Sequence, residues 1–170
     1  MHKKLLTAML LISSVSAYSQ LNLPKVQDQQ TFGMIGYKTD LGTGLGAEYS
    51  YYTRDNFALG FRLNYDWGRP YQAYYKSFGI DLGGAYAPLP IGDHFFINLK
   101  LYGSLAAQKL SDKQEISRSV FNYGGKGGGS LEYYMNTGTI IELYGLQGYF
   151  AKKDLGQKMY EIGIAFKIIL

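Results

Sequence analysis

Cysteine is absent from this chain of 170 residues, and histidine occurs only twice. Without thiols the protein has no disulfide, no lipid-anchored cysteine and no thiolate metal site. His2 lies at the extreme N-terminus and His94 in a predicted turn, which disfavours a multi-histidine metal site and a Ser-His hydrolase. The sequence therefore predicts no enzyme, no catalytic residue, no metal and no cofactor.

Long apolar runs are also missing. The longest largely apolar stretch, residues 5–12, is far shorter than the roughly 20 residues that a transmembrane helix needs. It follows the basic pair Lys3 and Lys4 and precedes a small-residue region, as in a secretory signal peptide. Cleavage after Ala17 or after Ser19 fits this pattern. We adopt the second, which predicts a signal peptide over residues 1–19 and a short periplasmic segment over 20–30.

Charged residues are sparse, whereas tyrosine, phenylalanine and glycine number 17, 9 and 22. Such a composition favours strands and tight bends over helices. The net charge is +4, of which two units belong to the signal peptide. The remaining excess of basic residues is small and predicts no direct binding of nucleic acid.

Alternation of apolar and other residues is the clearest pattern in the chain. Residues 57–67 place six apolar or aromatic side chains on one parity, and residues 160–170 alternate up to the last residue. Strands of this kind suit a bilayer when the sheet closes, because lipid satisfies no backbone hydrogen bonds. Eight stretches fit this template: 31–39, 44–52, 57–67, 74–87, 95–107, 120–135, 138–150 and 160–170. The predicted fold is all-β, an eight-stranded antiparallel up-and-down transmembrane β-barrel over residues 31–170.

The connectors predict the orientation of this barrel in a bacterial outer membrane. Three turns, 53–56, 88–94 and 136–137, are mostly tight, whereas 68–73, 108–119 and 151–156 are longer. Periplasmic turns are the short ones in such barrels, so both termini should be periplasmic. The stretch 108–119 is predicted to be the most polar outer loop, and the C-terminal strand should contact the barrel-assembly machinery. Lipid of the outer membrane is the other expected partner.

Strand parity predicts a charged interior. A lumen of eight strands is just filled by side chains, so these charges should pair rather than line a channel. Paired carboxylates also serve glycosidases, but acids facing bases are more typical of a satisfied polar core. We expect Arg62 and Lys100 to be neutralised by Glu48, Asp81 and Glu132. The predicted network comprises Glu48, Arg62, Asp66, Asp81, Lys100, Lys126, Glu132, Glu142, Glu161 and Lys167.

Aromatic residues near the strand ends predict interfacial girdles, with rings in the apolar layer and polar tips in water. The glycine-rich stretch 124–130 superficially resembles a phosphate-binding loop, but it lacks the strand-loop-helix context and the Gly-Lys-Ser/Thr ending. Glycines that let a strand bend, or a ring pack close, are the preferred interpretation. The predicted girdle residues are Phe57, Tyr65, Trp67, Tyr86, Tyr133 and Tyr160.

Several patterned segments follow one another along the chain: GLGAEYSYYT at 44–53, FALGF at 57–61, the stretch 74–86, NYGGKGG at 122–128 and EIGIAFKII at 161–169. Taken in this order, they resemble the conjugal transfer protein TraO family of conjugative transposons in Bacteroidetes. The resemblance covers about residues 32–170 and implies an envelope component of a type IV-like DNA transfer apparatus. Such a component acts by contact with other transfer proteins, and the family supplies no catalytic residues.

Three other interpretations remain open. The first is a generic small outer-membrane barrel of the adhesion or defence type, with no role in conjugation. The second is a barrel enzyme that acts on lipid and needs a nucleophile and a base near the outer leaflet. The third is a soluble barrel with an apolar ligand inside, in which the apolar parity would face inward. Trp67, Tyr65 and Phe57 mark both ends of a membrane-length strand, which a soluble barrel does not require.

Overall fold

Eight antiparallel strands form a closed barrel in a computed structural model of the chain. The structure describes residues 25, 27–70, 73–111, 117–136, 138–151 and 158–170. Each strand pairs with its neighbours in the sequence, and β1 pairs with β8 to close the sheet. The strands are β1 (Gln30–Thr39), β2 (Gly42–Arg54), β3 (Phe57–Gly68), β4 (Tyr74–Ile91), β5 (Phe95–Ser111), β6 (Ser117–Asn136), β7 (Thr139–Phe150) and β8 (Lys158–Ile169).

The predicted fold class is confirmed, and β3 shows why the sequence adopts it. Exposed and buried residues alternate along this strand from Phe57 to Trp67, with the apolar and aromatic parity outside. Because successive side chains of a strand point to opposite faces, this alternation fixes one register relative to the barrel wall. The predicted signal peptide lies outside the described residues.

The two rims of the barrel differ in what they carry. One end, here called the terminal rim, carries residues 27–29, the turns 55–56 and 92–94, and the C-terminal Leu170. The other end, here called the opposite rim, carries the turn 40–41, the last residues of β3, β5 and β7 and the first residues of β4, β6 and β8. Asn56 and Gly92 have positive φ angles of 64° and 65°, which the tight turns at the terminal rim require.

Four strands, β2, β4, β5 and β6, are each four residues longer than predicted, so the connectors beside them are shorter. β4 continues to Ile91 through a register shift between Tyr86 and Leu89, a place where a strand accommodates Pro88 and Pro90. β5 and β6 pair as far as Ser111 and Ser117, so most of the predicted outer loop 108–119 is sheet. Lys109 and Arg118 are therefore strand residues, a correction to the prediction. The charged residues Asp112, Lys113 and Glu115 lie outside the described part of the chain.

The core lies inside the barrel and is mainly polar, with two apolar clusters. Tyr37, Tyr102 and Tyr144 belong to the larger cluster, and Phe96 and Tyr134 to one near the terminal rim. The glycine stretch at 124–129 is part of β6 and continues the sheet without a break, as a strand and not as a phosphate-binding loop. Within the described residues, no helix has the length and apolarity needed to cross a bilayer.

Candidate functional site

The charged interior of the barrel is the candidate site, and the structure places all ten predicted network residues there. Each of them is at most 7% exposed. An eleventh charged residue, Lys25, joins them from the segment before β1 and is 1% exposed. Buried charges are stable only when they are paired, so the site is defined by its contacts.

Glu48 on β2 connects opposite walls of the barrel. One of its oxygens lies 2.8 Å from Lys167 Nζ on β8 and 3.4 Å from Lys100 Nζ on β5. Glu142 on β7 shares the same two lysines, at 2.5 Å from Lys100 and 2.7 Å from Lys167. Three of these four contacts join strands that are not neighbours, so the side chains cross the lumen and fill its cross-section.

A second group of ion pairs lies around Arg62 on β3. Its guanidinium donates to Glu161 Oε1 at 2.6 Å and to the Tyr144 hydroxyl at 3.0 Å. Lys126 bridges the other oxygen of Glu161, at 3.1 Å, and Asp81 Oδ2, at 2.9 Å. Arg62 also stacks over the Tyr144 ring, 4.9 Å from its centroid. The charge-assisted bonds of Nη2 and the cation–π contact therefore offset part of the cost of burying this guanidinium, whose Nε and Nη1 have no hydrogen-bond partner among the described residues.

Lys25 closes the network toward the terminal rim. Its Nζ lies 2.5 Å from Glu132 Oε2, donates to Asn98 Oδ1 at 2.5 Å and lies 5.1 Å from the centroid of the Phe96 ring. Burial lowers the pKa of the Lys25 ammonium, and the charge of Glu132 opposes that effect. The segment that precedes β1 is thus anchored inside the barrel through the side chain of Lys25.

Asp66 Oδ1 has no hydrogen-bond partner among the described residues and, unlike the unbonded oxygens of Glu132 and Glu142, no lysine or arginine nitrogen within ion-pair distance there. It lines a small cavity near the opposite rim together with Gln108 and Lys126. This cavity measures about 10 Å³, which is about the space that one water molecule needs. A conducting pathway or a substrate pocket requires far more room than this part of the lumen offers.

The predicted partners of Arg62 and Lys100 are partly wrong. Glu48 is close to both, at 3.6 Å from Arg62 and 3.4 Å from Lys100. Asp81 instead binds Lys126, and Glu132 binds Lys25 and Lys167. Backbone register puts Arg62 opposite Asp81, but the long guanidinium reaches across the lumen to β8.

Ion pairs engage two of the most deeply buried carboxylates of the lumen. Glu142 and Glu161 are at most 1% exposed, and both are held by two cations. The described residues contain no group of three or more His, Cys, Asp or Glu side chains arranged to hold a metal. The arrangement is a network of buried ion pairs that joins strands across the lumen.

The exterior is apolar around the whole circumference and has aromatic residues toward both rims. All six predicted girdle residues face outward and are between 37% and 52% exposed. Phe57, Tyr86 and Tyr133 lie toward the terminal rim, and Tyr65, Trp67 and Tyr160 toward the opposite rim. A surface of this kind is stable in a bilayer, where water does not oppose the exposure of apolar side chains.

No protein-family model and no curated protein matches this sequence. Solved structures with the same fold are small outer-membrane barrels at 11% to 14% identity. The N-terminal β-barrel domain of Pseudomonas aeruginosa OprF matches with a TM-score of 0.62 and 14% identity, covering 83% of this chain and 98% of that one. OprG of P. aeruginosa matches with a TM-score of 0.58 and 11% identity, covering 88% and 99%. Ail, the attachment invasion locus protein of Yersinia pestis, matches with a TM-score of 0.57 and 12% identity, covering 84% and 97%.

Proposed function

We propose that the mature chain is an integral outer-membrane protein with periplasmic termini that acts through its rims and not through its lumen. The observation that supports this most directly is the set of ion pairs that cross the lumen, centred on Glu48 and Arg62. The apolar exterior with its two aromatic girdles supports the membrane location. A protein of this kind is a generic small outer-membrane barrel. The similar solved structures support this interpretation at the level of the fold.

Fractionation and conductance measurements test this proposal. The protein should remain with the outer membrane after alkaline carbonate extraction and should migrate differently in unheated gel samples. In planar bilayers it should show no conductance above the baseline, whereas a porin prepared in parallel should form channels. Recovery in the soluble periplasm would refute the membrane location. Stable single-channel currents would refute the proposal that side chains fill the lumen.

A role in conjugative DNA transfer is a second candidate function, supported by the resemblance of segments 44–53, 122–128 and 161–169 to the TraO family. In this function the rims bind other proteins of the transfer apparatus, because a filled lumen leaves no site for a substrate. The terminal rim presents Arg54, Asp55 and His94 as exposed side chains. Exposed and buried residues alternate along the C-terminal strand β8, and the barrel-assembly machinery should bind this strand.

Deletion of the gene, scored by transfer frequency of the mobile element, tests this second candidate. Transfer should fall in the deletion and return with the wild-type gene. Complementation with Arg54→Ala/Asp55→Ala should restore transfer less well than Lys38→Gln, which alters one exposed charge at the opposite rim. Normal transfer in the clean deletion would exclude a role in conjugation and leave the generic barrel.

A further inference from the structure

Charged residues outside the lumen are distributed unequally between the two rims. The described residues of the opposite rim include six basic residues and a single acidic residue, Asp40. The terminal rim carries the exposed basic residue Arg54 and three exposed acidic residues, Asp28, Asp55 and Asp93. The basic residues of the opposite rim are Lys38, Arg69, Lys76, Lys109, Arg118 and Lys158.

Two of these lysines lie side by side on the outer face. Lys76 on β4 and Lys109 on β5 are direct partners in the register of the two strands, and both are exposed. Side chains at such positions have Cβ atoms about 4.5 to 5.5 Å apart, and like charges there are destabilising. A bound anion that contacts both ammonium groups would remove this repulsion.

Arg69 and two aromatic residues extend the lysine pair into a patch. Trp67 on β3 is the register partner of Lys76 on the other side, so Trp67, Lys76 and Lys109 follow one another across three strands. The Arg69 guanidinium lies over the Tyr74 ring, 4.5 Å from its centroid. The Arg69 guanidinium therefore lies over a ring, and the lysine pair adjoins Trp67 in the sheet, at the border between the apolar band and the rim. Lipid headgroups begin at this depth.

We propose that Arg69, Lys76 and Lys109 bind the phosphate groups of an anionic glycolipid in the membrane leaflet at the opposite rim. This inference rests on the membrane location proposed above, and it adds a lipid class to it. The exposed side chains face outward from the barrel wall, where the acyl chains of a lipid can lie on the neighbouring apolar surface of Phe78. Free phosphate lacks that second contact and therefore binds more weakly.

Trp67 provides a direct readout, because it is the single tryptophan of the chain and lies next to Lys76. Purified protein in a nonionic detergent is titrated with lipopolysaccharide, with the same lipid after removal of its phosphates, and with inorganic phosphate. Tryptophan emission is compared for the wild type, for Lys76→Gln/Lys109→Gln and for the matched control Lys38→Gln/Lys158→Gln. Both double variants lose two exposed lysines of the same rim, but only the first alters the patch.

We expect phosphorylated lipopolysaccharide to change the emission of the wild type and of the control variant at the same concentration. The Lys76→Gln/Lys109→Gln variant should need a lipid concentration at least about tenfold higher for the same change in emission. Equal effects of the two double variants, or equal binding of the dephosphorylated lipid, would overturn the proposal. An equal response to inorganic phosphate would assign the patch to the free ion and also overturn it. All variants should still fractionate with the outer membrane, and loss of that location would count against the proposed function instead.

Discussion

Arg62 shows how much a single lumenal residue contributes to the barrel. Its guanidinium is fully buried and is bound by Glu161 at 2.6 Å. Arg62→Met and Glu161→Leu should each lower the free energy of unfolding by about 1.5 to 3 kcal/mol, the range for hydrogen bonds to charged groups. Each substitution removes the shorter ion pair of the remaining side chain, which keeps only a more distant charged partner: Lys126 at 3.1 Å for Glu161, or Glu48 at 3.6 Å for Arg62. The double variant should recover part of this loss, which urea titration in lipid vesicles can measure. Strictly additive losses would show that the two side chains do not interact.

Lys25 gives a second prediction at this scale. Lys25→Met removes one of the two cations of Glu132, whose other partner, Lys167, lies 3.3 Å away. The free energy of unfolding should fall by about 1.5 to 3 kcal/mol, the range for hydrogen bonds to charged groups. Gln27→Ala is the matched control, because this exposed residue bonds Asp55 through its backbone N–H. An equal effect of the two substitutions would contradict the anchoring role of Lys25.

Strand parity made the ten charged lumenal positions predictable from the sequence, but it gave neither their partners nor Lys25. Parity fixes the face of a strand, whereas pairing depends on how far a long side chain reaches across the lumen. Lys25 precedes β1, where no periodicity exists to place it. The signal that could have found it is the charge balance, because the six predicted acids exceed the four predicted bases. Lys25 is the one basic residue between the predicted signal peptide and β1.

At the scale of an element, β6 is a long strand whose parity the sequence shows only in part, because its glycines carry no side chain. A Cβ at Gly128 would overlap the carbonyl oxygen of Gly145, whereas a Cβ at Gly127 would meet Leu101 at an ordinary 3.6 Å. Gly128→Ala should therefore lower the free energy of unfolding by about 1 to 3 kcal/mol. Gly127→Ala should change the free energy of unfolding little. The two neighbouring substitutions therefore serve as controls for each other in the same unfolding titration. The reverse order would mean that β6 is placed in a different register.

Strand ends were harder to predict than strands for a related reason. Ladder hydrogen bonds continue through polar residues such as Lys109 and Arg118, because the backbone pairs whatever the side chain. A hydropathy pattern ends where the apolar layer ends, which is earlier than the sheet ends. The predicted loop 108–119 therefore included residues that the structure places on β5 and β6.

At the scale of the whole molecule, the remaining question is which rim faces the cell exterior. The chain contains no cysteine, so single-cysteine variants can be labelled without background. Ala151 is exposed at the opposite rim and Asp93 at the terminal rim. In intact cells a membrane-impermeant maleimide should label Ala151→Cys and not Asp93→Cys, because the proposed orientation places the basic rim outside. Both variants should react after the outer membrane is permeabilised, which shows that each thiol is accessible. Labelling of Asp93→Cys alone in intact cells would show that the barrel has the opposite orientation. The proposed glycolipid patch would then lie in the inner leaflet of the outer membrane.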